Sequence, residues 1–309
     1  MFQKRKKMID IKDKLLNILK PESIVENASM ADYSSFRAGG KASFLVMPES
    51  ESRFADTLNL LSSEDVEYFV LGNGSNILIS DKGYDGVIVK TSKAFSDIKV
   101  DGEYICAGAG ALLSAVSKKA LENSLTGMEF ASGIPGSVGG GAFMNAGAYG
   151  MEMKDIITEV KLLSRDGKQI FFKDVSEMDY GYRHSVLYDT GDVVLGVKLK
   201  LEKGDSLKIK LLMDELMNRR NSKQPVNYYS AGSFFKRPKG HFAGKLIQDA
   251  GLKGTRVGDA EVSMLHGGFI INKGNATATD IIRLMHIVQA KVMDEFGIML
   301  EPEVRIIGE

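Results

Sequence analysis

GMEFASGIPGSVGGGAFMNAGAYG, residues 127–150, is one-third glycine, and its other positions are mostly small or apolar. Glycine costs conformational entropy in any regular element, so a cluster this dense needs a backbone reason. Tight turns at positive φ are one. Close approach of main chain to a ligand, where a Cβ would collide, is the other. A flexible linker would be polar, whereas this stretch carries Met128, Phe130, Ile134, Val138, Phe143, Met144 and Tyr149. Ile134-Pro135-Gly136-Ser137 predicts a turn running into a short helix, with N–H groups free to hold an anion.

A second cluster lies upstream. The apolar run Tyr68-Phe69-Val70-Leu71 leads into Gly72-Asn73-Gly74-Ser75-Asn76 and then into Ile77-Leu78-Ile79. Strand, Gly/Asn-rich turn, strand describes either an ordinary hairpin or a nest of backbone donors around a phosphate. Neither cluster has the GxxxxGK[ST] or GxGxxG pattern of the common nucleotide folds, so a dinucleotide would be bound by another route.

The chain has 309 residues, enough for two or three domains. Its 40 Lys and Arg balance its 40 Asp and Glu, so charge points to neither nucleic acid nor an acidic partner. The one concentrated basic run, Lys4-Arg5-Lys6-Lys7, is expected on the solvated face of an N-terminal helix. No apolar run is long enough to span a bilayer, and the N-terminus lacks the apolar core of a signal peptide. A cytoplasmic protein is expected, and a monomer. The single cysteine, Cys106, sits in the apolar run Tyr104–Ala107 and is expected to be a small core residue. One cysteine and four scattered histidines suggest no metal.

Strand and helix patterns alternate over the first ninety residues, as in a small α/β unit. Residues 8–20 carry Met8, Ile11, Leu15, Ile18 and Leu19 at helical spacing, stopped by Pro21. Hairpins are predicted around Asp101-Gly102 and Arg165-Asp166-Gly167. Helices are predicted at 50–62, 111–123, 206–220, 242–250 and 279–296, the last closed by Gly297. Met299 to Ile307 predicts a final strand, which would put Glu301 and Glu303 on one face.

Seven motifs in order then carry a family resemblance: FRAGG, GNGSN, SGIPGSVGGGAFMNAGAYG, YGYRHS, SAGSFFKRP, FAGKLIQDAGLKG and LEPEVRIIG. From about residue 30 to the C-terminus the chain resembles UDP-N-acetylenolpyruvoylglucosamine reductase. That enzyme makes UDP-N-acetylmuramate for bacterial peptidoglycan. There is little room between Arg183 and SAGSFF for the tyrosine-bearing loop of the first type, so the chain resembles the shorter, second type. The resemblance implies an α+β fold: a two-lobed FAD-binding domain of the vanillyl-alcohol-oxidase type and an α+β substrate-binding domain. On that basis residues 1–92 would form the first FAD lobe, 93–205 the second and 206–298 the substrate domain. Residues 299–309 would return to the flavin.

The same resemblance implies non-covalent FAD, with NADPH as hydride donor and a UDP-sugar enolpyruvyl ether as substrate. It assigns FAD to Arg37, Gly72, Asn73, Gly74, Ser75 and Asn76. It adds Ser132, Gly133, Ile134, Pro135, Ser137, Val138, Gly139, Asn145 and Gly147 from the second cluster. Reduction places negative charge beside the substrate carboxylate, so the chemistry needs a cation, and Arg183 matches the family arginine. The carbanion then needs a proton, and Ser233 matches the family donor. Glu303 matches the glutamate that stabilises the enol-like intermediate. Tyr182, Lys223, Lys236 and Arg237 are candidates for holding the substrate. From the residues alone, Arg183 also fits a surface salt bridge and Ser233 a turn or helix cap. His266 reads as structural. Another FAD oxidoreductase of the same cofactor fold, or a non-catalytic nucleotide-sugar binder, stays open at this stage.

Overall fold

The computed structural model describes residues 2–91 and 93–308, with all their side chains except those of 2–7 and 9. The basic run Lys4–Lys7 therefore lies outside the described side chains. The chain folds into two compact units. The first is Met1–Asn27, Ser43–Asn73 and Gly86–Met217; the second is Ala28–Ala42, Gly74–Asp85 and Asn218–Glu309.

Two sheets organise the first unit. One has four strands in the order Ile24–Ser29, Lys41–Val46, Tyr84–Lys90, Tyr68–Leu71, the last two parallel. The other has five antiparallel strands in the order Ile170–Asp174, Ile157–Leu163, Val193–Lys200, Tyr104–Gly108, Ile98–Asp101. Both predicted hairpins form in it, with Gly102 and Gly167 at positive φ as the turns require. One core cluster packs Ile105, Val116, Val138, Val160 and Leu199, and a second packs Ile11, Phe54, Leu58, Val87 and Leu195. Cys106 departs from expectation. Ile105 and Ala107 point inward, and the strand's alternation turns Cys106 out, where it is exposed opposite Lys198.

The second unit packs the helices Ala243–Asp249 and Ala278–Phe296 against a three-stranded sheet, Arg256–Val257, Ala260–Val262 and Ile270–Asn272. The long helix buries Ile281, Leu284, Met285, Val288 and Val292, the stripe its 3.6-residue period dictates. Thr277 and Asp280 form a capping box at its start, and Gly297 closes it at φ 66°. Asp81 adds a second cap: its carboxylate accepts from the N–H groups of Ala278 (2.9 Å) and Thr279 (2.7 Å). Burial works to raise its pKa, but the bonds from Thr279 and Ala278 prevail and hold it below the ordinary value. A depressed carboxylate contributes stability above its unfolded pKa, and that contribution is lost as pH falls through the folded value. Asp81→Ala is therefore expected to cost about 0.5–1 kcal/mol at neutral pH. The difference from wild type in chemical denaturation should vanish in acid, below the usual Asp range. A difference that persisted there would remove the charge from the explanation.

The final strand is shorter than its pattern suggests. Only Arg305–Ile307 is strand, parallel to Ile77–Ile79. Pro302 interrupts the ladder, and residues 301–303 pair instead with the segment at 234–236. Glu301 and Glu303 therefore lie outside the final strand, on either side of the Phe235–Pro302 bridge. The hairpin reading of the GNGSN turn fails. Tyr68–Leu71 pairs with Tyr84–Lys90, while Ile77–Ile79 pairs with Arg305–Ile307.

Candidate active site

In the first unit the glycine clusters meet, although some sixty residues separate them. Asn73 Nδ2 donates to the Pro135 carbonyl at 2.6 Å. A Cβ on Gly72 would collide with Ser137 Oγ and lie 3.9 Å from the Gly140 nitrogen. Lys90 Nζ donates to the Gly72 carbonyl at 2.6 Å. The result is a cradle of main chain and the Ser137 hydroxyl that a side chain at Gly72 would fill. Such a cradle fits a cofactor held by main chain.

Several of the expected cofactor residues make bonds that hold the cradle together. Ser137 caps the helix Val138–Phe143, its Oγ accepting from the Gly140 N–H. Val138 is fully buried in the core. The N–H groups of Val138 and Gly139 donate to the carbonyls of Ala111 and Ala109, both at 2.8 Å. The expectation of helix N–H groups free for an anion is thus overturned at these two residues. Gly139 is glycine for packing: a Cβ there would meet Ala109 Cβ at 2.9 Å and its oxygen at 3.1 Å. Gly139→Val should therefore destabilise the apoprotein by about 1–3 kcal/mol through overpacking, seen in its melting without any flavin. An unchanged melting curve with lost FAD would return Gly139 to the cofactor. Ser132 Oγ donates to the Glu129 carbonyl. Gly133, Ile134 and Gly147 are half-buried, and Pro135 is exposed.

Asn145 is fully buried at φ 48°. It spends both amide hydrogens internally, on Glu152 Oε2 and the Gly181 carbonyl, each at 2.9 Å. Its Oδ1 accepts from the Lys154 N–H. Its side chain is an anchor within the loop. What it anchors is Arg183. The guanidinium donates to the Gly147 carbonyl at 3.0 Å and, more weakly, to the Asn145 carbonyl at 3.5 Å. It lies 3.9 Å from Glu152 Oε1 and 5.0 Å over the ring of the exposed Tyr182. The Arg183 side chain is only 17% exposed, which rules out a surface salt bridge. Arg37, Asn145 and Arg183 all sit at positive φ. They are three of the eight described non-glycine residues that do so, the others being Asn27, Asp65, Ser124, Tyr149 and Asp179.

The second unit gathers another group. The Glu303 N–H donates to the Phe234 carbonyl at 2.8 Å, fixing the two segments that carry Ser233 and Glu303 side by side. Asn76 Nδ2 donates to the Glu303 carbonyl at 3.0 Å, and the Arg305 N–H returns to the Asn76 carbonyl at 3.1 Å. Gly74, at φ 69°, lies so close to the FRAGG approach that a Cβ would collide with the Tyr33 oxygen. Ser75, beside it, is half-buried. Phe36 packs edge-on against Phe234, and Arg37 lies 6.0 Å over Tyr229. Ser233 is exposed beside buried Phe234 and makes no hydrogen bond among the described residues, so it is not the cap or turn serine of the bland alternative. Glu303 is half-buried, whereas Glu301 is exposed and paired with Lys236 at 3.4 Å. Burial thus separates two carboxylates that pattern could not. Arg237 stacks over Phe242, and Lys223 lies exposed at the end of the helix Ser206–Lys223. His266 Nδ1 accepts from the Gly268 N–H, and burial lowers its pKa, in keeping with a structural part.

Known proteins match the chain over nearly its whole length. Residues 42–173 match the model of an FAD binding domain. Residues 224–307 match that of the UDP-N-acetylenolpyruvoylglucosamine reductase C-terminal domain. A UDP-N-acetylenolpyruvoylglucosamine reductase of Clostridium novyi (strain NT) is 48% identical over 97% of this chain and 97% of its own length. The chain belongs to the UDP-N-acetylenolpyruvoylglucosamine reductase family. Another member, from Clostridioides difficile (strain 630), is 46% identical over 97% of this chain and 98% of its own. The crystal structure of the reductase from Thermus caldophilus aligns with a TM-score of 0.79 and 35% identity, covering 92% of this chain and 97% of that one. The α+β fold with an FAD-binding domain of the vanillyl-alcohol-oxidase type is the fold of this family. No helix among the described residues is long and apolar enough to cross a membrane, and no group of metal-ligating side chains occurs among them. Glu152, 3.9 Å from Arg183, and Lys90, bonded to the Gly72 carbonyl, were not singled out from the sequence.

Proposed function

We propose that this chain reduces UDP-N-acetylglucosamine enolpyruvate to UDP-N-acetylmuramate, with NADPH as electron donor, in the synthesis of peptidoglycan precursors. The observation that carries the proposal is the near-complete, end-to-end match to reductases of that name, which includes both glycine clusters and the second unit. When bound, FAD supplies the hydride carrier between NADPH and the enolpyruvyl double bond.

The chain's own residues do the rest. Gly72, Asn73 and the loop at Gly133–Pro135 hold the cofactor by backbone, and the family resemblance assigns Gly74, Ser75, Asn76 and Arg37 to it as well. Arg183 binds the substrate carboxylate and steadies the charge that spreads into it as the double bond is reduced. Ser233 delivers a proton from Oγ to the adjacent carbon. Serine is a weak acid, but a carbanion beside a carboxylate is a far stronger base, so the transfer runs downhill. Glu303 shares a proton with the enol-like intermediate. Tyr182, Lys223, Lys236 and Arg237 are the candidates for holding the sugar nucleotide. By chain segment, 1–92 and 93–205 carry FAD, 206–298 the substrate, and 299–309 includes Glu303. The protein acts as a monomer in the cytoplasm, where NADPH and nucleotide sugars are found.

A visible spectrum tests the core of this. The purified protein should be yellow, NADPH should bleach it, and only the enolpyruvyl sugar nucleotide should restore the colour without oxygen. Recovery with simple alcohols or sugars instead would point to a different flavin oxidoreductase. A colourless protein that takes up no FAD would leave only a binding role.

A further inference from the structure

Lys90 ends the strand Tyr84–Lys90 at the edge of the backbone cradle. It is half-buried, and its ammonium donates to the Gly72 carbonyl at 2.6 Å. Among the described residues no carboxylate pairs with it. Burial lowers its pKa, with no charged neighbour acting in the other direction. An ammonium has three donors, and one carbonyl satisfies one of them. Taking such a charge part-way out of water without a counter-charge is costly, and buried cations ordinarily have a partner. The place where this one sits is informative. Gly72 faces Ser137 and the Gly140 nitrogen, and Asn73 reaches across to Pro135. The neighbouring helix start cannot supply the positive end of the cradle, because Val138 and Gly139 spend their N–H groups on Ala111 and Ala109.

A dinucleotide diphosphate brings two negative charges to whatever backbone holds it, and backbone alone supplies only dipoles. We infer that Lys90 is the cation that meets the diphosphate of FAD, from the strand end beside Gly72 and Asn73. The inference rests on the FAD reading of the cradle and adds to it the source of charge.

Wild type, Lys90→Met and Lys90→Gln are stripped of flavin and titrated with FAD at several salt concentrations, binding being followed by quenching of flavin fluorescence. Both variants should bind FAD roughly 10-fold or more weakly, the worth of a hydrogen bond to a charged group. Their affinity should also depend less on salt, because one ionic contact is gone. Glutamine keeps a donor for the Gly72 carbonyl, so an equal loss in both variants assigns the effect to charge. Wild-type affinity in both would overturn the inference. So would a loss in Lys90→Met alone, which would make Lys90 a tie for Gly72 and nothing more. Melting of the flavin-free proteins is run alongside, and a fall large enough to explain the weaker binding would also count against it. A wild-type apoprotein that takes up no FAD would sink the cofactor reading itself, before any variant is compared.

Discussion

Ser233→Ala is expected to accept hydride from NADPH at close to the wild-type rate and then to fail at the second half of the cycle. The two halves need different things from the chain. Reduction by NADPH requires the cofactor to be held, and the groups proposed to hold it do not include the Ser233 hydroxyl. Reduction of the enolpyruvyl ether requires a proton at the carbanion, and Ser233 is the proposed source. The local structure suits that role. Gly232 precedes it at φ 78° with nothing within 4 Å of where a Cβ would stand, Phe234 behind it is buried, and the hydroxyl caps no helix and closes no turn. Removing one oxygen from an exposed position should leave the fold intact. Reoxidation by substrate should slow by roughly 10²- to 10⁴-fold, the usual worth of a positioned general acid. Substrate affinity should change little, because the hydroxyl meets a carbon and adds little to ground-state binding. Stopped-flow absorbance of the flavin band reads each half separately. If both halves slowed together, Ser233 would be holding structure or cofactor. If neither slowed, the proton would come from another residue or from water.

The sequence disclosed what is local and left hidden what is tertiary. Glycine clusters, Asp-Gly turns and the capped, periodic helix at 278–296 are written in neighbouring residues, and each formed where its pattern lay. The motif order was equally legible, because a motif is a short run. What each motif residue touches was not. Asn145 and Val138 stand in a ligand-like stretch, yet one is consumed by Glu152 and Gly181 and the other by the core. Gly139 needs its missing Cβ for Ala109, thirty residues away in the chain. Glu301 is exposed and Glu303 half-buried, a difference that the alternation of the segment does not show. Cys106 shows the converse: a strict alternation was present in Ile105-Cys106-Ala107, and an apolar run concealed it. Lys90 and Glu152 carried no signal beyond a charge next to an apolar run or a glycine stretch. Only the packing shows that one lacks a carboxylate and the other faces an arginine.

Arg183→Lys should lower turnover by roughly 10²-fold or more, since losing one preorganised group that steadies developing charge costs on that order. The substitution keeps the charge and the backbone, so what it removes is geometry. In the native chain the guanidinium is positioned before substrate arrives. The Gly147 carbonyl accepts at 3.0 Å, the Asn145 carbonyl at 3.5 Å, and the Tyr182 ring lies 5.0 Å below its centre. Asn145 holds that arrangement through its own bonds to Glu152 and Gly181. A planar fork fixed in this way can meet a carboxylate with two parallel bonds, whereas an ammonium is a point donor on a flexible stem. Lysine could reach one carbonyl or the substrate, but it could not keep the plane. The loss should therefore appear in the substrate half-reaction, with the NADPH half near normal and the melting temperature within a few degrees of wild type. Because Arg183 would grip the carboxylate before as well as during reduction, KM should rise along with the fall in kcat, unlike the pattern expected at Ser233. Near-normal turnover of Arg183→Lys would reduce the arginine to a fixed charge with no part in the reaction. A large fall in melting would mean instead that its bonds to Gly147 and Asn145 hold the loop together and that catalysis fails only through the fold.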